Sequence, residues 1–123
     1  MPSEVIRKLK TWQKGMALAK SIYSLTSQFP KSEQYGMTSQ MRRAAVSIPA
    51  NLAEGNGRSS RRDYARFVAI AFGSARELDT LLELSIELGL ANREEAQSSA
   101  ALLDEICRML YRLHHNLTKE AAS

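Results

Sequence analysis

The chain has 123 residues, the length of one domain (1–123) that can bury a core without staples. At 44% hydrophobic and 24% charged it has the balance of a soluble globular protein, and its net charge of +4 with a pI near 9.5 is too mild for a dedicated nucleic-acid arm. The single cysteine, Cys107, excludes an internal disulfide framework and suits a reducing cytosol. The opening MPSEVIRKLK has no apolar stretch of the secretory kind, and no run approaches the ~20 apolar residues that span a bilayer, so a cytoplasmic location is expected.

The first predicted helix runs from about residue 4 to residue 28. Leu9, Trp12, Met16, Ala19 and Tyr23, with Ile22 beside it, recur at three- and four-residue steps, which predicts one buried face. Phe29-Pro30 ends it, because a residue before proline avoids the helical region. Gly15 lies inside and costs about 1 kcal/mol against alanine. Gly36 then marks a turn, with Thr38 or Ser39 as the cap of a second helix whose stripe is Met41, Ala45, Ile48 and Leu52. Pro49 removes a donor and presses on the carbonyl of Ala45, so a kink within a continuous helix is expected there.

Gly55 and Gly57 read as left-handed positions closing the second helix, and Ser60 with Asp63 as the capping pair of the third. The third helix reaches Leu88 and stops at Gly89. Its apolar residues, including Phe67, Ile70, Phe72, Leu78, Leu82, Leu84 and Leu88, cover more than the ~100° stripe of a surface helix. Ala65, Ala69 and Gly73 are small and four apart, which lets another backbone approach. Asn92 with Glu95 caps the fourth helix, where Leu103, Ile106, Leu110, Leu113 and Leu117 step as a heptad seam. The closing TKEAAS reads as a frayed tail. Four long helices with short joints predict an all-α, up-down-up-down antiparallel bundle.

Charge is unevenly spread. Residues 58–76 carry five basic and one acidic side chain, while residues 77–90 carry four acidic and none basic. The stretch around Gly55-Asn56-Gly57 is no phosphate-wrapping P-loop, since it follows a helix and lacks the lysine. It reads first as a helix joint. Arg58, Arg61, Arg62 and Arg66 beside the open start of the third helix form a candidate anion site for nucleic-acid backbone, with Glu54 placed to pair with Arg61 or Arg62. Arg42 and Arg43 fall near Glu77 and read as salt-bridge partners. Asp79, Glu83 and Glu87 make an acidic stripe, but no glutamate has a histidine three residues on, so a di-iron site is not indicated. His114 and His115 point to different faces, Cys107 reads as core, and no nucleophile–base pair can be argued. The sequence therefore indicates neither a metal or cofactor nor an enzyme.

The stretches LKTWQKGMALAKSIYSLTSQFP, GMTSQMRRAAVSIPANLAEGNGR and DYARFVAIAFGSARELDTLLELSIELG resemble the bacterial four-helix-bundle family first noticed as reading frames in intervening sequences of large-subunit ribosomal RNA genes. The likeness spans about residues 9 to 115, and Gly15 stands where alanine is usual. The resemblance implies a non-enzymatic bundle that forms a homopentameric ring. It also implies kinship with the basic, nucleic-acid-binding accessory protein of diversity-generating retroelements, which assists a reverse transcriptase. RNA or DNA is the partner that kinship suggests; a scaffold for protein partners, its basic patches tied up in intersubunit salt bridges, is the alternative.

Overall fold

The computed structural model describes residues 4–122, with side chains described to residue 119. A short helix, α1 (Glu4–Arg7), precedes four long ones: α2 (Lys10–Thr26), α3 (Met37–Asn56), α4 (Arg61–Glu87) and α5 (Arg93–Ala122). A 3-10 turn at Lys31–Glu33 lies between α2 and α3. Among the described residues there is no strand.

Neighbours in sequence are neighbours in space, and α5 closes the ring against α2. Diagonal contacts between α2 and α4 or between α3 and α5 are absent among the described residues. The pairings run in opposite senses. Arg42 reaches Thr26 while Gly15 faces Ile48 and Pro49. Ser47 bonds Ser74 while Gly55 faces Phe67. Ser21 bonds Ser99 while Lys14 pairs with Glu105. Every such pairing is antiparallel, which makes this the up-down-up-down bundle expected.

The first predicted helix is in fact two. The amides of Lys8 and Leu9 bond back three residues, to Val5 and Ile6, and helical bonding restarts at Gln13 on Leu9. The side chain of Gln13 donates to the Arg7 carbonyl at 2.7 Å, satisfying an acceptor freed by the break. The buried face of α2 is also displaced from expectation. Thr11, Gly15, Leu18, Ile22 and Leu25 are buried, while Met16 and Tyr23 are exposed. The true seam steps 4-3-4-3 one residue off the anticipated stripe. Glycine and threonine hide it from a count of large apolar residues, since both are buried here through close packing rather than hydrophobic bulk.

The α3 stripe of Met41, Ala45, Ile48 and Leu52 is fully buried, and the helix is continuous through Pro49. Thr38 and Ser39 do not cap it. Gly36 is the capping residue, and the Glu33 carboxylate accepts the amide of Met37 at 3.1 Å in place of a capping hydroxyl. The seam of α5 extends the expected one upstream through Ala96 and Ser99 to Leu103, Ile106, Leu110 and Leu117. Helix α5 stays helical to Ala122, well into the stretch read as a tail; Ser123 lies outside the described residues.

Candidate nucleic-acid interface

The joint between α3 and α4 carries the arginine cluster. Its architecture differs from the expectation of two left-handed glycines. Gly55 lies inside α3 and is buried; Gly57 is the capping residue with φ −82° and ψ −3°, ordinary right-handed values. The reason for glycine at 55 is proximity. A Cβ there would stand 2.7 Å from Phe67 Cβ, 3.0 Å from Tyr64 Cδ1 and 3.3 Å from the Tyr64 carbonyl. Backbone meets backbone, so α3 and α4 cross tightly just before they join. Beside this contact the Asn56 amide donates to the Tyr64 hydroxyl at 3.3 Å. Ser60 caps α4 as expected, its Oγ accepting the Asp63 amide at 3.0 Å.

The close crossing places Phe67 under the cluster. The Arg58 and Arg66 guanidiniums lie over its ring, 4.9 and 4.5 Å from the centroid, within cation–π range. Each also has a local carboxylate: Arg58 Nη2 sits 3.4 Å from Glu54 Oε1, and Arg66 Nε 3.6 Å from Asp63 Oδ1. Glu54 therefore pairs with Arg58, four residues on and just past the end of α3, rather than with Arg61 or Arg62 as anticipated. These pairs are at least two-fifths exposed and contribute little to stability. Arg61 and Arg62 are exposed in the first turn of α4. The helix dipole disfavours cations there.

The antiparallel topology adds to this end of the molecule. The starts of α2 and α4 and the ends of α3 and α5 lie together, so Lys8, Lys10, Arg112 and Lys119, all exposed, join the arginines. The opposite end holds Glu33, Glu87, Glu94 and Glu95. There Arg93 donates both Nη atoms to Glu83, at 3.2 and 2.9 Å. That hydrogen bonding holds the Glu83 carboxyl below its usual range. Lys31, Arg42, Arg43 and Arg93 lie toward that end too, so the bundle has one basic end and one of mixed charge. Lys8, Lys10, Arg112 and Lys119 were not singled out from the sequence.

Other expectations fare differently. Arg42 does not bridge to Glu77: its Nε donates to Thr26 Oγ1 at 2.8 Å and it stacks on Tyr23, and among the described residues neither Arg42 nor Arg43 forms an ion pair. Gly73 meets nothing within 4 Å and Ala69 is exposed, so of the small-residue row only Ala65 is buried within the chain. Cys107 is partly buried against the core, and burial pushes its thiol up. His115 stacks on Tyr111. Among the described residues no group of three His, Cys, Asp or Glu side chains could hold a metal ion, and no helix is long and apolar enough to cross a membrane.

Comparison with known proteins agrees with this architecture. The family described as 23S rRNA-intervening sequence protein matches residues 7–112. A crystal structure of a protein with unknown function, from the S23 ribosomal protein family of Bacteroides thetaiotaomicron, is similar in fold. Its TM-score is 0.76 at 27% identity, covering 85% of this chain and 97% of that one. No curated protein matches. The chain belongs to the 23S rRNA-intervening sequence protein family.

Proposed function

We propose that this family member is a non-enzymatic cytoplasmic protein that assembles with itself, as a pentamer, and binds nucleic-acid backbone through the basic end of its bundle. The observation that carries the reading is the gathering of exposed basic side chains at one end of the bundle: Lys8 and Lys10 at the start of α2, Arg58, Arg62 and Arg66 about the start of α4, and Arg112 and Lys119 toward the end of α5. A polyanion fits such a surface. Contacts of this kind go to phosphate and carry no base preference.

Self-assembly is supported by Ile70 and Leu84 on α4 and Val46 on α3, each about two-fifths exposed, with the open Gly73 surface between the first two in sequence. The same observation favours a second reading, in which the bundle is a scaffold for protein partners. The ion pairs of Arg58 and Arg66 lean that way too, since each already has a carboxylate beside it.

A salt titration separates the readings. Wild type and the Arg58→Glu/Arg62→Glu variant are titrated onto random-sequence duplex DNA and RNA. For every phosphate that the variant no longer neutralises, the slope of log K against log salt falls by about 0.9 on duplex DNA. Circular dichroism checks that both proteins are equally helical. An unchanged slope removes the basic end from the account; absence of binding by wild type at low salt leaves the scaffold. Light scattering at micromolar concentration tests the assembly, and a monomer mass ends that part of the proposal.

A further inference from the structure

At the other end of α3 a groove of about 600 Å³ opens against the end of α2, a volume typical of ligand sites. Tyr23, Tyr35, Arg42, Arg43 and Val46 line it together with hydroxyl and amide side chains, and no carboxylate does. Its most unusual member is Tyr35, 91% exposed. The backbone that carries it is fixed on both sides. Phe29 and Met37 are buried, and the Glu33 carboxylate holds the Met37 amide. An aromatic ring presented to water from an anchored turn does nothing for the core.

The second aromatic, Tyr23, is 46% exposed and has the Arg42 guanidinium 4.4 Å from its ring centroid. Arg42 is itself pinned, through Nε to Thr26 Oγ1 and through Nη2 to the Tyr23 carbonyl at 3.4 Å. Arg43, next to it, is exposed and also lines the adjoining depression on the α4 side, where Glu77 lies. The groove thus combines two accessible aromatic faces, an immobilised planar cation and a second, exposed cation.

We propose that this groove binds single-stranded nucleic acid, with bases stacked on Tyr35 and on the Tyr23–Arg42 pair and phosphate at Arg43. Stacking on exposed aromatics beside a positive groove is how unpaired strands are held, and it does not require a particular sequence. A duplex hides its base faces and cannot use these rings. The proposal rests on the nucleic-acid reading above but on different residues: Arg42 lies fourteen positions, about 21 Å, before the end of α3 at Asn56, and Arg58 lies beyond that end.

The test uses the full chain and labelled oligo-dT and oligo-rU of about ten nucleotides, with a random-sequence duplex for comparison. Tyr35→Ala is expected to weaken binding of the single strands about tenfold and to leave duplex binding unchanged. Tyr35→Phe retains wild-type affinity, because the ring and not the hydroxyl stacks. Arg58→Glu/Arg62→Glu shows the converse pattern, weakening the duplex more. Wild-type binding that Tyr35→Ala and Arg43→Glu both leave intact overturns the groove while sparing the basic end. Wild-type binding to neither form sinks both. A change in assembly mass with Tyr35→Ala also overturns the proposal, since it makes the groove a contact between copies of the chain. Oligo-dT and oligo-rU bound alike marks a site blind to the 2′-hydroxyl; preference for oligo-rU assigns the site to RNA.

Discussion

The two joints that flank α4 look alike in sequence and are built on different physics. Each ends a helix near glycine and opens the next with a capping pair. At the α4–α5 joint Gly89 has φ +77°, the only positive value among the described residues. Leu90 and Gly89 donate to the carbonyls of Ser85 and Ile86, the paired bonds of a left-handed helix stop. At the α3–α4 joint no residue is left-handed, and the glycine that matters, Gly55, sits a turn earlier with Phe67 and the Tyr64 backbone against it. One glycine is needed for its φ and the other for its missing side chain. The first kind of joint can be loosened without moving helices apart; the second cannot.

The largest expected effect tests that difference directly. Gly55→Ala gains about 1 kcal/mol of helix propensity but forces a methyl into Phe67 Cβ and the Tyr64 carbonyl, neither of which is a flexible side-chain end. Overpacking of this kind costs about 1–3 kcal/mol, sometimes more, so the net change is destabilising. Gly57→Ala, two residues on, meets only ordinary contacts at 3.7 Å and has a compatible backbone, so it stabilises by about 0.4–1 kcal/mol. Urea midpoints at one fixed protein concentration measure both. Equal effects at 55 and 57 would remove the distinction on which the comparison stands.

Next comes Gly89→Ala, expected to cost about 1–2 kcal/mol, through backbone strain alone. Nothing lies within 4 Å of its absent side chain, so steric relief elsewhere cannot compensate. Gly89→Asn should recover part of the loss, because asparagine tolerates the left-handed region. A Gly89→Ala variant as stable as wild type would show that the stop does not depend on φ.

These two glycines also mark how far the sequence could be read. Gly89 follows a long periodic segment and precedes a capping pair, so a local rule finds it. Gly55 obeys no local rule: its reason is Phe67, twelve residues later, and only the crossing of two helices reveals it. The same limit displaced the seam of α2, where Gly15 and Thr11 are buried against neighbouring helices and leave no hydrophobic signature. Four helices, the Ser60 cap and the α4–α5 stop were legible because amphipathic periods and caps are local. The arginine cluster was legible as composition, yet its pairing was not: Glu54 was expected to reach Arg61 or Arg62 and instead pairs with Arg58, just past the end of α3.

The capping pairs give a smaller contrast. At α5 the pair is reciprocal: Asn92 Oδ1 accepts the Glu95 amide at 2.7 Å, and Glu95 Oε1 accepts the Asn92 amide at 3.0 Å. At α4 the described bond runs one way, from the Asp63 amide to Ser60. Ser60→Ala and Asn92→Ala should each cost about 1 kcal/mol. Glu95→Gln keeps an acceptor for the Asn92 amide and should cost less than Glu95→Ala. A loss equal to that of alanine would mean that the charge at the helix start, and not the hydrogen bond, supplies the stabilisation.

The smallest effect concerns pH and belongs to the acidic joint alone. Glu83 is held below the usual carboxylate range, first by its hydrogen bond from Arg93 and then by that cation's charge. Its folded pKa lies under its unfolded one, so the pair's contribution is fully present above the ordinary carboxylate pKa. It declines as pH falls through the lower folded value, because the unfolded chain then takes up the proton first. The pair is exposed, and water and salt screen it, so the contribution is slight. Glu83→Gln removes the titration while keeping an acceptor for Arg93. The difference in stability between wild type and this variant should therefore shrink toward acid pH and be damped by added salt. A difference that stays constant from neutral to acid pH, or that salt leaves untouched, would show that the charge of Glu83 plays no part in holding this joint.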